Sequence, residues 1–337
     1  MSLLERMKKT STIKDASAML DADVYDVENI PTNIPMLNLA FSGMVDGGLT
    51  SGITMLAGES RTFKTGFLVQ MGKSFQDKYE DGVILFFDSE FSPMDYWESG
   101  GCDMGRILHV PITSIEQLKH ELSVQLDALT KEDNVIILID SIGAIASKKE
   151  IEDAMKSDAQ PVDMTRAKAL NSLFRIVTPQ VNVKKIPMVL INSFYETMEM
   201  YAKRIYAGGK KVLLSCDDVF FISKSQVKEG SEKVGNMFTI TADKSRTIRE
   251  GSKFPVKITV KDGIDRYSNL YELAKEFGYI VPAGAWCKLM DLDTGELATT
   301  NTRVSAVPNE FYDKLLLNTE FQDSVSSKYL LSAINGE

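Results

Sequence analysis

The sequence predicts an α/β protein built around a central, mostly parallel β-sheet. Short apolar runs recur along the 337 residues, and segments with apolar side chains at helical spacing lie between them. Runs that are apolar throughout, rather than alternating, are typical of parallel strands covered on both faces. Their alternation with helices predicts right-handed crossovers and a buried sheet.

The elements follow one another in the order that such a sheet requires. Helices are expected at residues 65–76, 114–129 and 164–181, the second with a Ser114 cap. After residue 223 the pattern changes to antiparallel strands at 234–242 and 254–260 and a helix at 270–277. The expected parallel strands are residues 53–57, 83–87, 107–110, 135–139, 187–191 and 219–222.

Three regions are predicted. Residues 31–280 form the core, and residues 281–337 form a C-terminal subdomain with mixed patterning. Residues 1–30 form a small helical appendage in which Leu3, Leu4 and Met7 recur at helical spacing. Two interpretations of the appendage stay open, since it could fold back on its own domain or dock on a neighbouring subunit.

Composition narrows the possible functions. With 38 Lys and Arg against 47 Asp and Glu, the net charge is −9, so nucleic acid can be bound only through local basic segments. Three cysteines without a C-x-x-C pair favour a reducing compartment, and we expect a cytoplasmic protein. No apolar run is long enough for a membrane span, so no membrane partner is expected.

A phosphate-binding loop is predicted where the first core strand meets the first core helix. Residues 58–65 have the pattern G-x-x-x-x-F-K-T, with Phe63 at a position where Gly is usual. Lys64 is expected to reach the β- and γ-phosphates of ATP, and the Thr65 hydroxyl to bind Mg²⁺. Backbone N–H groups of such loops hold phosphates. The predicted ATP-binding residues are therefore Gly58, Glu59, Ser60, Arg61, Thr62, Phe63, Lys64 and Thr65.

Two further strands end in acidic residues, at the sheet edge where α/β folds bind ligands. Asp140 is predicted to serve Mg²⁺, with Ser141 supporting it by a hydrogen bond. Glu90 is predicted to polarise the water that attacks the γ-phosphate, while Asp88 serves the metal or caps the turn. Tyr96 is a candidate to stack on the base, or a packed surface tyrosine.

Two polar segments after strands, residues 147–165 and 194–212, are predicted to bind DNA. The first leads into a basic helix, and the second interleaves aromatic residues with cations and ends in two glycines. Cations grip phosphates, and aromatic side chains stack on bases. The alternative for the first segment is a solvated connector. The predicted DNA-binding residues are Lys148, Lys149, Arg166, Lys168, Phe194, Tyr195, Tyr201, Lys203, Arg204, Lys210 and Lys211.

Together, these motifs resemble the ATPase core of RecA-type strand-exchange recombinases, with a closer likeness to the UvsX type of T-even phages. The likeness spans residues 30–280, and UvsX-type recombinases also have Phe at position 63. It is carried by stretches that include IPMLNLAFSG at 34–43, DSEF at 88–91, SIEQL at 114–118, MTRAK at 164–168 and KSRT at 244–247.

The resemblance implies a RecA-like P-loop ATPase core that uses ATP and Mg²⁺. It implies a right-handed helical filament on single-stranded DNA, paired with homologous duplex DNA for recombination, repair and recombination-dependent replication. Phage single-strand-binding and loading proteins would then be partners, and if a phage encodes the protein, its compartment would be the cytoplasm of the host cell. The appendage would pack on the adjacent subunit.

The resemblance also implies roles for individual residues. Glu90 would be the catalytic carboxylate, and Tyr96 would contact the adenine. Lys244 and Arg246 would reach ATP across the interface from the neighbouring subunit. Asn192 and Ser193 would sense the γ-phosphate, although Ser193 is shorter than the Gln of RecA or the His of the UvsX type.

Two other functions stay open at this point. A hexameric helicase or another RecA-fold motor shares the phosphate loop and Asp140 but closes into a ring. A non-catalytic accessory protein would bind DNA or a filament without turnover. The intact Lys64, Thr65 and Glu90 argue against the accessory protein.

Overall fold

The computed structural model describes residues 2–13, 28–156, 165–196 and 204–331, and it confirms the α/β class. The strands are β1 (Gly52–Gly58), β2 (Val83–Asp88), β3 (Ile107–Pro111), β4 (Val135–Asp140), β5 (Pro187–Asn192), β6 (Phe194–Glu196), β7 (Arg204–Tyr206), β8 (Asp218–Glu229), β9 (Glu232–Lys244), β10 (Lys253–Thr259), β11 (Gly263–Ile264), β12 (Ile280–Ala283), β13 (Trp286–Leu289) and β14 (Thr302–Arg303). The helices are α1 (Leu3–Thr10), α2 (Pro35–Ser42), α3 (Lys64–Lys78), α4 (Asp95–Ser99), α5 (Ile115–Ala128), α6 (Lys148–Ala154), α7 (Thr165–Val183), α8 (Lys210–Ser215), α9 (Leu270–Glu276), α10 (Asn309–Leu316) and α11 (Thr319–Tyr329).

Nine strands form the main sheet, in the order β11-β10-β9-β8-β1-β5-β4-β2-β3. The strands from β8 to β3 in this order are parallel, whereas β9, β10 and β11 join antiparallel to one another and to β8. All six predicted parallel strands are present. Because they are parallel, β1, β2, β4 and β5 end at one edge of the sheet, which gathers Gly58, Asp88, Asp140 and Asn192.

Side chains on the two faces of the sheet belong to two buried clusters. In β1, Leu56 belongs to the cluster with α2 and α3, and Met55 belongs to the cluster with α5 and α7. Both side chains are fully buried. A strand covered on both faces needs apolar residues at every position, which explains the continuous apolar runs.

The C-terminal residues pack on the first of these clusters. Strands β12, β13 and β14 form a separate small sheet. Leu315, Phe321 and Val325, from α10 and α11, are fully buried together with Phe41 of α2. The division at residue 281 stays a prediction.

Helix α1 begins at a capping box formed by Ser2 and Glu5. Leu3, Leu4 and Met7 are 65%, 52% and 61% exposed. Residues 14–27 of the predicted appendage lie outside the described part of the chain. Docking of the appendage on a neighbouring subunit therefore stays a prediction.

Two segments predicted as irregular contain regular structure. In the first, Ser147 and Glu150 form a capping box that begins α6. The second contains β6 and β7, which pair as a hairpin, and the start of α8. Its residues 197–203 lie outside the described ranges. Across the described residues, no helix is both long and apolar enough to cross a bilayer.

Candidate nucleotide site and nucleic-acid interface

The predicted phosphate loop connects β1 to α3, and its backbone is tightly constrained. Arg61 and Phe63 have φ angles of 62° and 63°, in the left-handed region that bulky residues rarely adopt. A Cβ on Gly58 would lie 2.5 Å from the Ile222 carbonyl oxygen. Lys224 donates to the Arg61 carbonyl at 3.0 Å. The loop is thus held by β8 as well as by its own strand.

Aromatic packing holds Phe63 in its left-handed conformation. Its ring lies 5.3 Å from the ring of Phe67 and 5.6 Å from that of Phe238, measured between centroids. A Cβ added to Gly66 would lie 2.3 Å from the Phe63 ring. Gly66 is therefore needed because Phe63 is present. The sequence analysis missed Gly66, although an aromatic residue at position 63 is a signal that its neighbours must be small.

Lys64 bends back over the loop. Its ammonium donates to the carbonyl oxygens of Gly58 at 3.0 Å and Glu59 at 2.6 Å. Burial lowers the pKa of Lys64, and the nearby Glu90 and Asp140 charges oppose that effect. A partly desolvated cation beside loop carbonyls is suited to bind phosphate oxygens.

Thr65 and Asp140 meet as predicted for a Mg²⁺ site. The Thr65 hydroxyl donates to Asp140 Oδ2 at 2.6 Å. Burial raises the pKa of Asp140 to about 6, although the Thr65 hydrogen bond opposes this. No group of three His, Cys, Asp or Glu side chains suited to a metal occurs in the described ranges. One hydroxyl and one carboxylate fit Mg²⁺, which keeps several waters and takes few protein ligands.

Glu90 is positioned by Ser141. The Ser141 hydroxyl donates to Glu90 Oε1 at 2.8 Å. This corrects the expectation that Ser141 supports Asp140, because the Ser141 hydroxyl donates its hydrogen bond to Glu90, in the turn after β2. Asp88 accepts from the backbone N–H groups of Glu90 and Phe91, so it caps the turn that carries Glu90.

A cleft of about 340 Å³ brings these groups together. The phosphate loop forms one wall, and Glu90 and Tyr96 line another. Tyr96 is 47% exposed, so its ring face is accessible. Asn192 and Ser193 also line the cleft, and the Asn192 amide donates to the Ala207 carbonyl at 3.0 Å. The cleft is thereby connected to the end of the second polar segment.

Lys244 and Arg246 do not join this cleft. Arg246 pairs with Asp217 at 2.7 Å, and Asp217 bonds to the backbone N–H of Ile53 at the start of β1. From Ile53 to Gly58, the strand extends roughly 17 Å. Lys244 donates to carbonyl oxygens at the end of α8, including that of Leu213 at 3.1 Å. Neither cation is placed to reach the cleft of its own chain.

The predicted DNA residues of the first segment differ in their surroundings. The Arg166 guanidinium donates to the carbonyl oxygens of Ile142, Gly143 and Ile145, so it holds the turn after β4. Lys148 and Lys149 lie in the first turn of α6. Their contact with DNA stays a prediction.

A basic groove of about 650 Å³ lies between α7 and α8. Lys168 and Arg175 from α7 and Lys211 from α8 line it. All three side chains are exposed, as is Lys210 at the start of α8. The groove thus joins cations from the two predicted DNA segments.

The ends of the second segment pack on the sheet. Phe194 packs edge-to-face on Phe221 at 4.9 Å, whereas Tyr195 is 60% exposed. The Arg204 guanidinium lies 3.7 Å from the centroid of the Phe221 ring, and it pairs with Asp243. Nothing in the sequence pattern marks Asp243 for this role. The predicted Tyr201 and Lys203 lie outside the described residues.

Comparison with known proteins was made against families and individual proteins. No model of a known protein family matches the chain. The chain is 40% identical over 341 residues to the recombination and repair protein of Enterobacteria phage T4, which covers 99% of this chain and 87% of that protein.

Bacterial RecA proteins are more distant relatives. Protein RecA of Fusobacterium nucleatum is 23% identical over 314 residues, which cover 87% of this chain and 80% of that protein. Protein RecA of Chlorobaculum tepidum is 27% identical over 273 residues, covering 79% and 75%. With the phosphate loop, Asp140 and Glu90 gathered at the carboxyl edge of the sheet, the chain belongs to the RecA family of recombination proteins, together with the phage T4 protein.

Proposed function

We propose that this protein is an ATP-dependent DNA strand-exchange recombinase that polymerises on single-stranded DNA. The observation that carries the proposal is the cleft in which Lys64, Thr65, Asp140 and Glu90 converge, in a chain 40% identical to a phage recombination and repair protein. This combination favours a working ATPase over a non-catalytic accessory protein.

The residues of the cleft divide the work of hydrolysis. The loop N–H groups and Lys64 bind the phosphates and hold them for attack. Thr65 and Asp140 would hold Mg²⁺, which neutralises phosphate charge. Glu90, positioned by Ser141 at 2.8 Å, orients the attacking water and accepts its proton. Tyr96, which lines the cleft and is exposed, is proposed to stack on the base.

The nucleotide is proposed to lie between subunits. Lys244 ends β9 and Arg246 lies just after it, and both contact groups away from the cleft of their own chain, so they are proposed to serve the cleft of a neighbouring copy. A cation supplied from the next subunit stabilises transition-state charge and links the two copies while the γ-phosphate is present. Hydrolysis then loosens the interface.

The groove between α7 and α8 is proposed as the path of the DNA backbone. Lys168, Arg175 and Lys211 contribute phosphate contacts, and the second segment contributes aromatic side chains. Because these contacts do not read base edges, binding is expected to be sequence-independent and strongly salt-dependent. When the bound strand pairs with a homologous duplex, new base pairs replace those of the duplex at nearly equal free energy. A mismatch therefore makes the exchange unfavourable.

An ATPase assay with and without single-stranded DNA tests the proposal, together with electron microscopy of the same sample. We expect DNA-stimulated hydrolysis by the wild type, open helical filaments, and loss of turnover in Lys64→Ala. Closed rings would indicate a helicase-like motor instead. Absence of turnover in the wild type, with DNA binding intact, would indicate an accessory protein.

A further inference from the structure

Asp243 and Lys244 lie at an irregularity in the β8–β9 ladder. Val219 pairs with Lys244, but the next residue of β8, Phe220, pairs with Ala242. Asp243 is therefore the extra residue of a β-bulge, the local feature that redirects a side chain out of the regular alternation. In a regular strand, neighbouring side chains point to opposite faces of the sheet. The bulge interrupts this alternation, so the directions of the Asp243 and Lys244 side chains are set locally.

Asp243 binds β7, which lies within the second polar segment. Its carboxylate oxygens both accept from Arg204 Nη1, each at 3.0 Å. The Tyr206 hydroxyl also donates to it, and burial together with this carboxylate raises the pKa of Tyr206. Arg204 is further held over the Phe221 ring. Residues 204–206 are thus tied to β9 by three polar contacts on one carboxylate.

Lys244 binds the end of α8, just after the same segment. Its ammonium donates to the carbonyl oxygens of Leu213 and Cys216, at the end of α8. Helix α8 follows β7 after only three residues. Two consecutive residues of β9 therefore hold both ends of the stretch from Arg204 to Cys216, which includes the Lys211 of the basic groove.

We infer that Asp243 is a positioning residue that couples DNA occupancy of the stretch from Arg204 to Cys216 to the placement of Lys244. This inference rests on the proposed function, in which the segment binds DNA and Lys244 serves the neighbouring nucleotide. A displacement of β7 by DNA moves the carboxylate that binds it, and the adjacent Lys244 moves with the same backbone. DNA would thereby set the position of the cation that acts across the interface.

The test is the ratio of ATP hydrolysis at saturating single-stranded DNA to hydrolysis without DNA. Asp243→Asn weakens the Arg204 pair while keeping the side-chain shape, and Asp243→Glu keeps the charge. Asp313→Asn is a matched control, because Asp313 accepts from Tyr267 at 2.9 Å and pairs with Arg266 at 3.5 Å, far along the chain from this segment. Tm and DNA affinity are measured for each variant.

We expect Asp243→Asn to reduce the stimulation ratio about tenfold, within the usual range of coupling between sites, with basal hydrolysis and DNA affinity within about threefold of wild type. Asp243→Glu should restore much of the ratio, and Asp313→Asn should keep it. A wild-type ratio in Asp243→Asn would overturn the inference, as would a loss that merely follows Tm in both Asn variants. A wild type that DNA does not stimulate would overturn the proposed function as well.

Discussion

Lys64 and Glu90 occupy different stages of the proposed reaction. Lys64 is held by loop carbonyls and is placed to bind phosphate, whereas Glu90 acts on the attacking water. We expect Glu90→Gln to slow hydrolysis by about 10²-fold or more, the usual contribution of a general base. Nucleotide-dependent assembly should persist, because the phosphate contacts remain.

Single-turnover hydrolysis and nucleotide-dependent sedimentation measure these two properties separately. Lys64→Ala provides the comparison, since it removes a phosphate contact and should impair both. Hydrolysis by Glu90→Gln at the wild-type rate would refute the assigned role. Loss of assembly in that variant would show that Glu90 contributes to binding.

The pKa of Asp140 makes stability depend on pH. Burial raises it to about 6, above its ordinary value, so the folded state prefers the protonated carboxyl. That favourable contribution is complete below about pH 4 and is lost as the pH rises to about 6. At neutral pH, the nucleotide-free protein therefore carries a buried charge that reduces its stability.

We expect Asp140→Asn to increase the free energy of unfolding at pH 8 by up to about 3 kcal/mol, which corresponds to the rise in the Asp140 pKa to about 6. The gain should be small at pH 4.5, where Asp140 is already protonated. Urea unfolding at the two pH values measures this, and Asp262→Asn is the control, because Asp262 is exposed in the turn between β10 and β11. ATP turnover should be lost in Asp140→Asn. A variant that is more stable but inactive would show that the buried Asp140 charge is kept for function at the expense of stability.

At the scale of elements, the junction of β1, the loop and α3 depends on the fit between Phe63 and Gly66. Gly66→Ala places a methyl group against the Phe63 ring, since a Cβ there lies 2.3 Å from it. We expect a destabilisation of about 1–3 kcal/mol, as for other overpacked sites. The Phe63→Gly variant loses ring packing but leaves room for the methyl.

A double-mutant cycle tests this fit. In the Phe63→Gly background, Gly66→Ala should cost no stability, because alanine favours helix and meets no ring. Denaturant unfolding of the four proteins gives the coupling free energy. Equal costs of Gly66→Ala in both backgrounds would show that the contact does not limit the loop.

The elements that could be predicted are those with a local signal. The buried parallel strands are apolar at nearly every position, and α5 has a capping box, so their bounds agree within a few residues. Strand β8 extends to Glu229, well beyond the predicted end at 222, because residues 223–229 are mostly exposed and polar and are held by backbone pairing with β9. Strand residues that are held by backbone pairing alone show no apolar pattern in the sequence.

The same distinction applies to the site. The phosphate loop and the acids at the strand ends could be recognised from contiguous residues. The bonds from Ser141 to Glu90 and from Arg204 to Asp243 join residues 51 and 39 positions apart, so only the folded chain brings them together. Asp243 gains its orientation from a bulge, which no composition predicts.

At the scale of the whole molecule, Arg246 follows β9 and pairs with Asp217, so it does not line the cleft of its own chain. If each active site combines the cleft of one copy with Arg246 of the next, two different defects should complement. Glu90→Gln, the cleft variant expected to keep nucleotide-dependent assembly, and Arg246→Ala should each be nearly inactive alone. An equal mixture should recover about one quarter of wild-type turnover, because a random head-to-tail order pairs an intact cleft with an intact cation at that frequency.

Steady-state ATPase of the mixture, against each variant alone, measures this recovery. A mixture of Lys64→Ala with Glu90→Gln is the control, because both defects lie in the same cleft and cannot complement. If the turnover of the first mixture does not exceed that of the control, the cleft and Arg246 that act together belong to one subunit.

If Arg246 of one copy completes the cleft of the next, as proposed, the separation of cleft and cation gives any assembly a direction. An open chain of such copies has two chemically unlike tips, one with an unshared cleft and the other with an unshared Arg246. An incoming copy must bring its cation to the first tip, where bound ATP can retain it, but must bring its own charged cleft to the second. Growth and loss at the two tips therefore respond differently to nucleotide, and this polarity is inherent in a single folded chain.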